Sequence, residues 1–359
     1  MKKRFVIVAL VGISTAACLL SLLLAEAAVR LSYFGWRALY FWRYDRASLI
    51  SEPFIERDPL IGHRFRPNVD DWDKGYRVRT NSVGFRDGEH SLTPAPGTLR
   101  IVVLGDSVAA GETIGEEQAF PRRVESLLRA RGIPAEVVNL AIPMTGTLQH
   151  AAIMLRWGRS YHPDLVLYQV HLNDVCDNPE LVDGSQEKWL EKMLALPNDP
   201  WYVRLQQYSF FYDWLRTRKL HRRLVAQTEP VGNLRESRCQ RQYPFAWKLM
   251  AEGLAELNVA AGKIPVVLTI LPFLGYLDGR YPFEEMHRRL TELAAGEGFL
   301  VLDLLPVLRG RNGMELWVYP SNSHPGIAGH EIIARAIASF LTTDARLGER
   351  VPALRHAAP

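Results

Sequence analysis

Five short apolar runs alternate with longer amphipathic segments, and this alternation constrains the fold more than any other feature. Runs of five to eight apolar residues suit strands buried on both faces of a sheet. The predicted strands lie at 100–105, 135–140, 164–171, 264–270 and 299–303, and the predicted helices at 117–131, 147–160, 244–262, 282–296 and 326–342. We therefore expect a three-layer α/β fold, in which a doubly wound, five-stranded parallel sheet carries its functional loops at the carboxyl ends of the strands.

One segment, about residues 178–243, interrupts the alternation with Trp-rich and Arg-rich sequence. We predict a helical insertion over the carboxyl edge of the sheet. Eight Arg and Lys residues stand against two acids between 216 and 241. They form either a solvated helix face or a surface for anionic lipid or polysaccharide. The net charge of +4 over 359 residues gives no support for a nucleic-acid partner.

The N-terminus carries an uncharged run of 21 residues, Phe5–Ala25, behind a basic tip at residues 1–4. Such a run is long enough to span a bilayer, and it is longer than the apolar region of a cleaved signal peptide. The basic tip favours a cytoplasmic N-terminus. We therefore predict a single-pass inner-membrane protein with its main domain on the periplasmic or extracytoplasmic side. The expected divisions are an anchor at 5–25, a juxtamembrane and lead-in segment at 26–97, a domain at 98–345 and a tail at 346–359.

The three cysteines and ten histidines give little sign of a metal centre. No CxxC, HxxxH or HExxH run occurs, so neither a metal nor another cofactor is predicted. Cys18 lies in the apolar run. Cys176 and Cys239 could pair in an oxidising compartment, although their spacing does not require it.

A turn with one serine, Ser107, follows the first predicted strand in "RIVVLGDSVAAGETIG" and precedes the first helix. A phosphate-binding loop is excluded, because five residues separate Gly105 from Gly111 and Glu112 follows. A dinucleotide fingerprint is excluded, because the turn has one glycine before Gly111. Ser107 is then either a nucleophile or a simple helix cap.

Three further motifs follow Ser107 at the ends of later predicted elements: "VNLAIPMTG" (138–146), "VHLNDV" (170–175) and "SNSHPGIAGH" (321–330). With "GDSVAAG" (105–111), they resemble the SGNH, or GDSL-type, hydrolase family over about residues 98–342. The segments "DPLIGHRFRPN" and "VRTNSVGFRD" also resemble the lead-in of membrane-anchored bacterial members. The resemblance implies a flavodoxin-like sheet and a serine-dependent esterase.

The resemblance also implies site residues, with Ser107 as nucleophile and His324 as its base. The implied oxyanion hole consists of the Ser107 backbone N–H, the Asn173 amide and a backbone N–H at Met144, where the family usually has glycine. Supporting roles fall to Asp106, Gly111 and Asp174.

A second departure from the family pattern, after Met144, lies three residues before the histidine, where the family expects an aspartate and this chain has Ser321. We prefer a dyad in which the backbone carbonyl of Ser321 receives the histidine ring N–H. Asp303, at the end of the last predicted strand, is a remoter alternative. A third interpretation of the missing aspartate is that the domain is degenerate and inactive.

An outward-facing, anchored member of this family is expected to deacetylate envelope or extracellular carbohydrate, or to transfer acyl groups on it. A lipid esterase and a catalytically degenerate glycan-binding module are the alternatives. The sequence does not choose the acyl group or the acceptor, since hydrolysis and transfer share their first half-reaction. It predicts no particular protein partner.

Overall fold

The computed structural model describes residues 2–39, 54–73, 76–182, 184, 205, 208–226, 244–320 and 322–355. Helix α1 (Lys2–Phe34) comes first and continues as a 3-10 turn, Gly35–Leu39. It is long and apolar enough to cross a membrane. Its side chains are exposed throughout residues 4–24, and only beyond that point does one face pack on the rest of the protein.

Two short antiparallel hairpins form the lead-in segment before the sheet. Their strands carry charged residues and are only four residues long, so sequence periodicity did not predict them. The first hairpin packs Ile55 and Phe65 into the main core. The strands are β1 (Ile55–Asp58), β2 (Gly62–Phe65), β3 (Asp70–Asp73) and β4 (Tyr76–Arg79).

The centre of the fold is a five-stranded parallel sheet, which confirms the predicted fold class. Its strands are β5 (Leu99–Leu104), β6 (Ala135–Asn139), β7 (Leu165–His171), β8 (Val266–Leu271) and β9 (Leu300–Asp303). They lie in the order β6-β5-β7-β8-β9. Every side chain of β5 and β8 is buried, as expected of strands covered on both faces. Each predicted strand boundary lies within two residues of the observed one.

Helices cover both faces of this sheet. The helices of the described residues before β10 are α2 (Ser107–Ala110), α3 (Phe120–Ala130), α4 (Thr147–Arg156), α5 (Asp174–Val182), α6 (Phe210–Ala226), α7 (Ala246–Ala261), α8 (Glu284–Gly296) and α9 (Leu305–Leu308). Helix α4 packs against α7, which also contacts α8. Helix α3 begins three residues later than predicted, because a 3-10 turn and an extended Ala119 precede it and Pro121 lies in its first turn.

A small antiparallel pair, β10 (Trp317–Tyr319) and β11 (Asn322–Pro325), leads into the long helix α10 (Ile327–Thr343), which packs on α3, and then α11 (Ala345–Arg350). Helix α6 and the second half of α5 belong to the predicted insertion, and much of the rest of 178–243, including Cys239, lies outside the described residues. The predicted domain divisions remain predictions.

Candidate active site

Ser107 is the first residue of α2, in a tight turn directly after β5. The Asp106 carboxylate caps this short helix by accepting the Val108 backbone N–H at 3.0 Å. Gly111 ends it with φ of +74°, and a Cβ there would lie 2.8 Å from the Ala119 side chain. The turn therefore needs a glycine at 111, and it holds Ser107 at the carboxyl edge of the sheet.

His324 reaches the same point from a strand 217 positions further along the chain. Its Nε2 lies 2.7 Å from the Ser107 Oγ, so the serine hydroxyl can donate to the ring. The His324 side chain keeps 31% of its surface exposed, whereas Ser107 is only 9% exposed. This is the geometry that general-base activation of a serine requires.

Asn322 orients His324, a role that the sequence analysis did not assign to it. Its Oδ1 lies 2.5 Å from His324 Nδ1 and accepts the His324 backbone N–H at 3.0 Å. The Asn322 amide nitrogen in turn donates to the Tyr319 hydroxyl at 3.2 Å. Because Oδ1 can only accept, the ring proton lies on Nδ1 and Nε2 is free to take the serine proton. The signal in the sequence was an Asn two residues before His324, a spacing at which Asn side chains commonly bond the backbone.

Asp303 does not orient His324, so that alternative is wrong. Its Oδ1 pairs with His287 Nδ1 at 2.8 Å and also accepts the Leu305 backbone N–H at 2.8 Å. The end of β9 faces α8, which carries His287, so the carboxylate is engaged locally. The other candidate, Ser321, lies outside the described residues.

A second carboxylate, Glu112, lies beside the histidine on its reactive side. Its Oε2 is 3.6 Å from His324 Nε2, and its side chain is only 5% exposed. The Glu112 backbone N–H donates to the Ser107 carbonyl at 3.1 Å, which ties the carboxylate to the nucleophile turn. In the sequence, Glu112 stood out only as a residue that excludes a phosphate-binding loop.

Met144 keeps the backbone conformation that a glycine would favour, with φ of +59°. Neighbouring residues hold its loop: the Thr145 hydroxyl donates to the Ile142 carbonyl at 2.7 Å, and His63 Nε2 donates to the Pro143 carbonyl at 2.7 Å. Burial lowers the pKa of His63, so its ring is neutral. Because His63 lies in β2, the lead-in hairpin braces the loop that carries the Met144 N–H.

Asn173 follows β7, the strand that pairs with β5, and so lies at the same edge of the sheet as Ser107. Its amide nitrogen donates to Asp177 Oδ2 at 2.6 Å, and its oxygen accepts from His171 Nδ1. An amide nitrogen has two N–H groups, so this one retains a second donor for an oxyanion. His171 thus orients a predicted oxyanion donor.

The supporting carboxyl groups are buried. Burial, and then the charges of Asp106 and Asp177, raise the pKa of Asp174 well above its usual range. Burial also raises the pKa of Asp106. His330, by contrast, has a structural contact: its Nδ1 accepts the Phe120 N–H at 3.0 Å, and burial lowers its pKa to about 3.

Metal ligands and cysteines are the remaining groups to consider. Among the described residues, no group of three or more His, Cys, Asp or Glu side chains is placed to hold a metal ion. Cys176 in α5 is disulfide-bonded, whereas Cys18 is free.

Residues 103–332 match the model of the GDSL-like lipase/acylhydrolase family. No curated protein matches the chain at a significant level. Similar solved structures include a lipase/acylhydrolase from Enterococcus faecalis, with 15% identity, a TM-score of 0.41 and coverage of 67% of this chain and 94% of that one. Another is Axe2, an acetylxylan esterase from Geobacillus stearothermophilus, with 16% identity, a TM-score of 0.40 and coverage of 68% and 94%.

Proposed function

The chain belongs to the GDSL-like lipase/acylhydrolase family, and on that premise we propose that it is an esterase that forms an acyl-enzyme on Ser107. The observation that carries the proposal is the 2.7 Å contact between Ser107 Oγ and His324 Nε2. The Nδ1 contact with Asn322 supports it, because it leaves Nε2 unprotonated.

The reaction begins when His324 Nε2 takes the Ser107 proton and Oγ attacks the ester carbonyl carbon. The carbonyl oxygen becomes an oxyanion, which the N–H groups of Ser107, Met144 and Asn173 receive. Each such donor contributes about 3 to 4 kcal/mol to the transition state. The C–O bond then breaks, and Nε2–H protonates the departing alkoxide. An incoming hydroxyl then gives its proton to His324 Nε2, and its oxygen attacks the acyl carbon. The bond from that carbon to Ser107 Oγ breaks, and Oγ takes the proton back from Nε2.

The role of the usual triad aspartate is divided here between two residues. An aspartate both fixes the histidine tautomer and stabilises its cationic form. Asn322 performs the first task as a neutral acceptor at Nδ1. Glu112 performs the second from the Nε2 side, at 3.6 Å.

For the substrate, we propose acyl groups, acetyl above all, on carbohydrate of the cell envelope or outside the cell. The apolar helix α1, retained as an anchor, supports this location. The disulfide at Cys176 suits an oxidising compartment. When the incoming hydroxyl belongs to water the reaction is deacetylation, and when it belongs to a sugar it is acyl transfer. The Ser107–His324 contact disfavours the inert glycan-binding alternative.

The test uses full-length protein in detergent with p-nitrophenyl acetate, comparing wild type with Ser107→Ala. We expect hydrolysis to fall by at least about 10³-fold, because the nucleophile is removed. Ser126→Ala is the matched control, since Ser126 lies exposed on α3 and its hydroxyl donates to the Arg122 carbonyl of the same helix at 3.0 Å. Equal hydrolysis by the folded Ser107→Ala variant and wild type would refute the proposal.

A further inference from the structure

Helix α1 changes its surroundings abruptly at residue 25. Residues 4–24 are exposed on every side and cover about 31 Å of helix, close to the ~30 Å hydrocarbon core of a bilayer. From Ala25 onward one face is covered, with Arg30, Phe34 and Ala38 buried at helical spacing. The helix therefore contacts the domain as soon as the apolar stretch ends, without an intervening linker.

Glu26 makes the first of these contacts, with the start of α6. Its carboxylate accepts the backbone N–H groups of Phe210 and Phe211, both at 2.9 Å, and the Ser209 hydroxyl at 2.8 Å. Arg30, one turn later, donates to Glu26 at 2.6 Å and to the Tyr208 carbonyl at 2.8 Å. These bonds fix the domain against the helix at the level where the predicted span ends.

The next turn of α1 reaches the support of the catalytic histidine. The Phe34 ring packs on Phe210 at 5.1 Å and on Tyr319 at 5.9 Å between centroids. Tyr319 accepts a hydrogen bond from Asn322, which orients His324. A continuous series of contacts thus leads from the end of α1 to the nucleophile's base.

We propose that the domain rests directly on the bilayer and that its substrate is an ester carried by a membrane-embedded molecule. The proposal rests on the proposed function and narrows its substrate class. Residues 26–34 add about 13 Å of helix beyond the span, and a headgroup layer takes up about 6 Å of that height. An ester on the headgroup of a membrane lipid, such as a saccharide linked to a lipid, is presented at about this height, whereas a polymer free in solution gains nothing from it.

The first experiment moves the domain away from the bilayer surface. Eighteen residues of soluble helix, inserted between Leu24 and Ala25, add five whole turns and about 27 Å without rotating α1. The same eighteen residues inserted after Met1 serve as the control, since they lengthen the chain without lifting the domain. Both proteins and wild type are reconstituted in phospholipid vesicles. The substrates are soluble p-nitrophenyl acetate and nitrophenyl acetate groups coupled to a double-chain lipid, either at the glycerol or on a sugar headgroup.

We expect the lifted protein to hydrolyse the soluble ester within about twofold of wild type and the lipid-bound esters at least tenfold more slowly. Faster wild-type cleavage of one lipid probe identifies which carrier position the site favours. Unchanged cleavage of both lipid probes by the lifted protein would overturn the proposal and leave the esterase intact. If wild type cleaves no ester at all, the proposed function itself fails.

The second experiment tests the link from α1 to the histidine in the full-length protein with the soluble ester. Phe34→Ala is expected to lower kcat about fivefold with KM unchanged, because Tyr319 loses its packing and Asn322 its fixed position. Phe34→Leu should restore most of the rate. Trp36→Ala, at a side chain 77% exposed on the same segment, is the matched control. Wild-type kcat in folded Phe34→Ala would show that α1 does not support the site.

Discussion

His324 and His287 each have a side-chain partner at Nδ1, and the two pairs differ in chemistry and in surroundings. His324 has a neutral amide from Asn322 at Nδ1 and a serine hydroxyl at Nε2. His287 has the Asp303 carboxylate at Nδ1 and the Tyr281 hydroxyl, 3.0 Å away, at Nε2. The side chain of His324 is 31% exposed and that of His287 only 4%.

The pair with the carboxylate is the one without a nucleophile. Tyr281 also accepts the Phe273 backbone N–H at 3.1 Å, so the His287 cluster joins α8, the end of β9 and the loop after β8. Tyr281 and His287 are buried and Asp303 is partly exposed, and their contacts are those of a polar network that fixes local structure. An aspartate bonded to a histidine is therefore a poor sign of catalysis unless a reactive group lies at the other ring nitrogen.

Of the changes to these two histidine pairs, we expect the largest effect from removing the Asn322 amide, which orients His324. Asn322→Ala is expected to lower kcat about 10²-fold, or about 2.7 kcal/mol, because His324 loses its tautomer and its orientation. Asn322→Asp should retain kcat, since its carboxylate accepts the same proton. Steady-state hydrolysis of p-nitrophenyl acetate measures both. A wild-type kcat in Asn322→Ala would mean that another group orients His324.

The converse change weakens the pair that His287 forms with the partly exposed Asp303. Asp303→Asn is expected to lower the free energy of unfolding by about 1 to 3 kcal/mol, because a charge-assisted contact to His287 is lost. Hydrolysis at saturating ester should stay within about twofold of wild type. Denaturant unfolding and kcat, measured on the same sample, separate the two effects. A large loss of kcat with an unchanged free energy of unfolding would show that Asp303 does take part in catalysis.

We expect the Glu112 charge on the Nε2 side of His324 to affect kcat less than the orientation of the His324 ring does. Glu112→Gln keeps the shape of the side chain but removes its charge 3.6 Å from Nε2, and we expect kcat to fall about tenfold, or about 1.4 kcal/mol. The exposed neighbour Glu117 provides a matched Glu→Gln control. Equal rates for the two variants would show that the Glu112 charge does not assist His324.

The smallest expected effect concerns Met144. Glycine adopts φ of +59° without strain, so Met144→Gly should relieve about 1 kcal/mol of backbone strain. The methionine side chain also packs on the core, and its loss offsets that gain. Thermal unfolding should therefore shift by only a few degrees, with kcat nearly unchanged. A large drop in kcat would show that the side chain itself shapes the oxyanion loop.

Local patterns in the sequence determined the sheet and pointed to Ser107 as the proposed nucleophile. The five apolar runs predicted each strand of the central sheet within two residues, because burial on both faces requires unbroken apolar sequence. Ser107 and His324 were identified through motifs, each confined to a few consecutive residues. The match of residues 103–332 to the GDSL-like lipase/acylhydrolase model confirmed the family that these motifs indicated.

Only the tertiary structure decided which groups meet these residues. Glu112 is 212 positions from His324, and Phe34 is far from Tyr319 in the chain, so no periodicity could pair them. Asp303 stood out in the sequence as a carboxylate at a strand end, but the packing of α8 against β9 gave it to His287. Hydrophobic pattern acts over a few residues and specifies elements, whereas the partner of a polar side chain depends on which elements pack together.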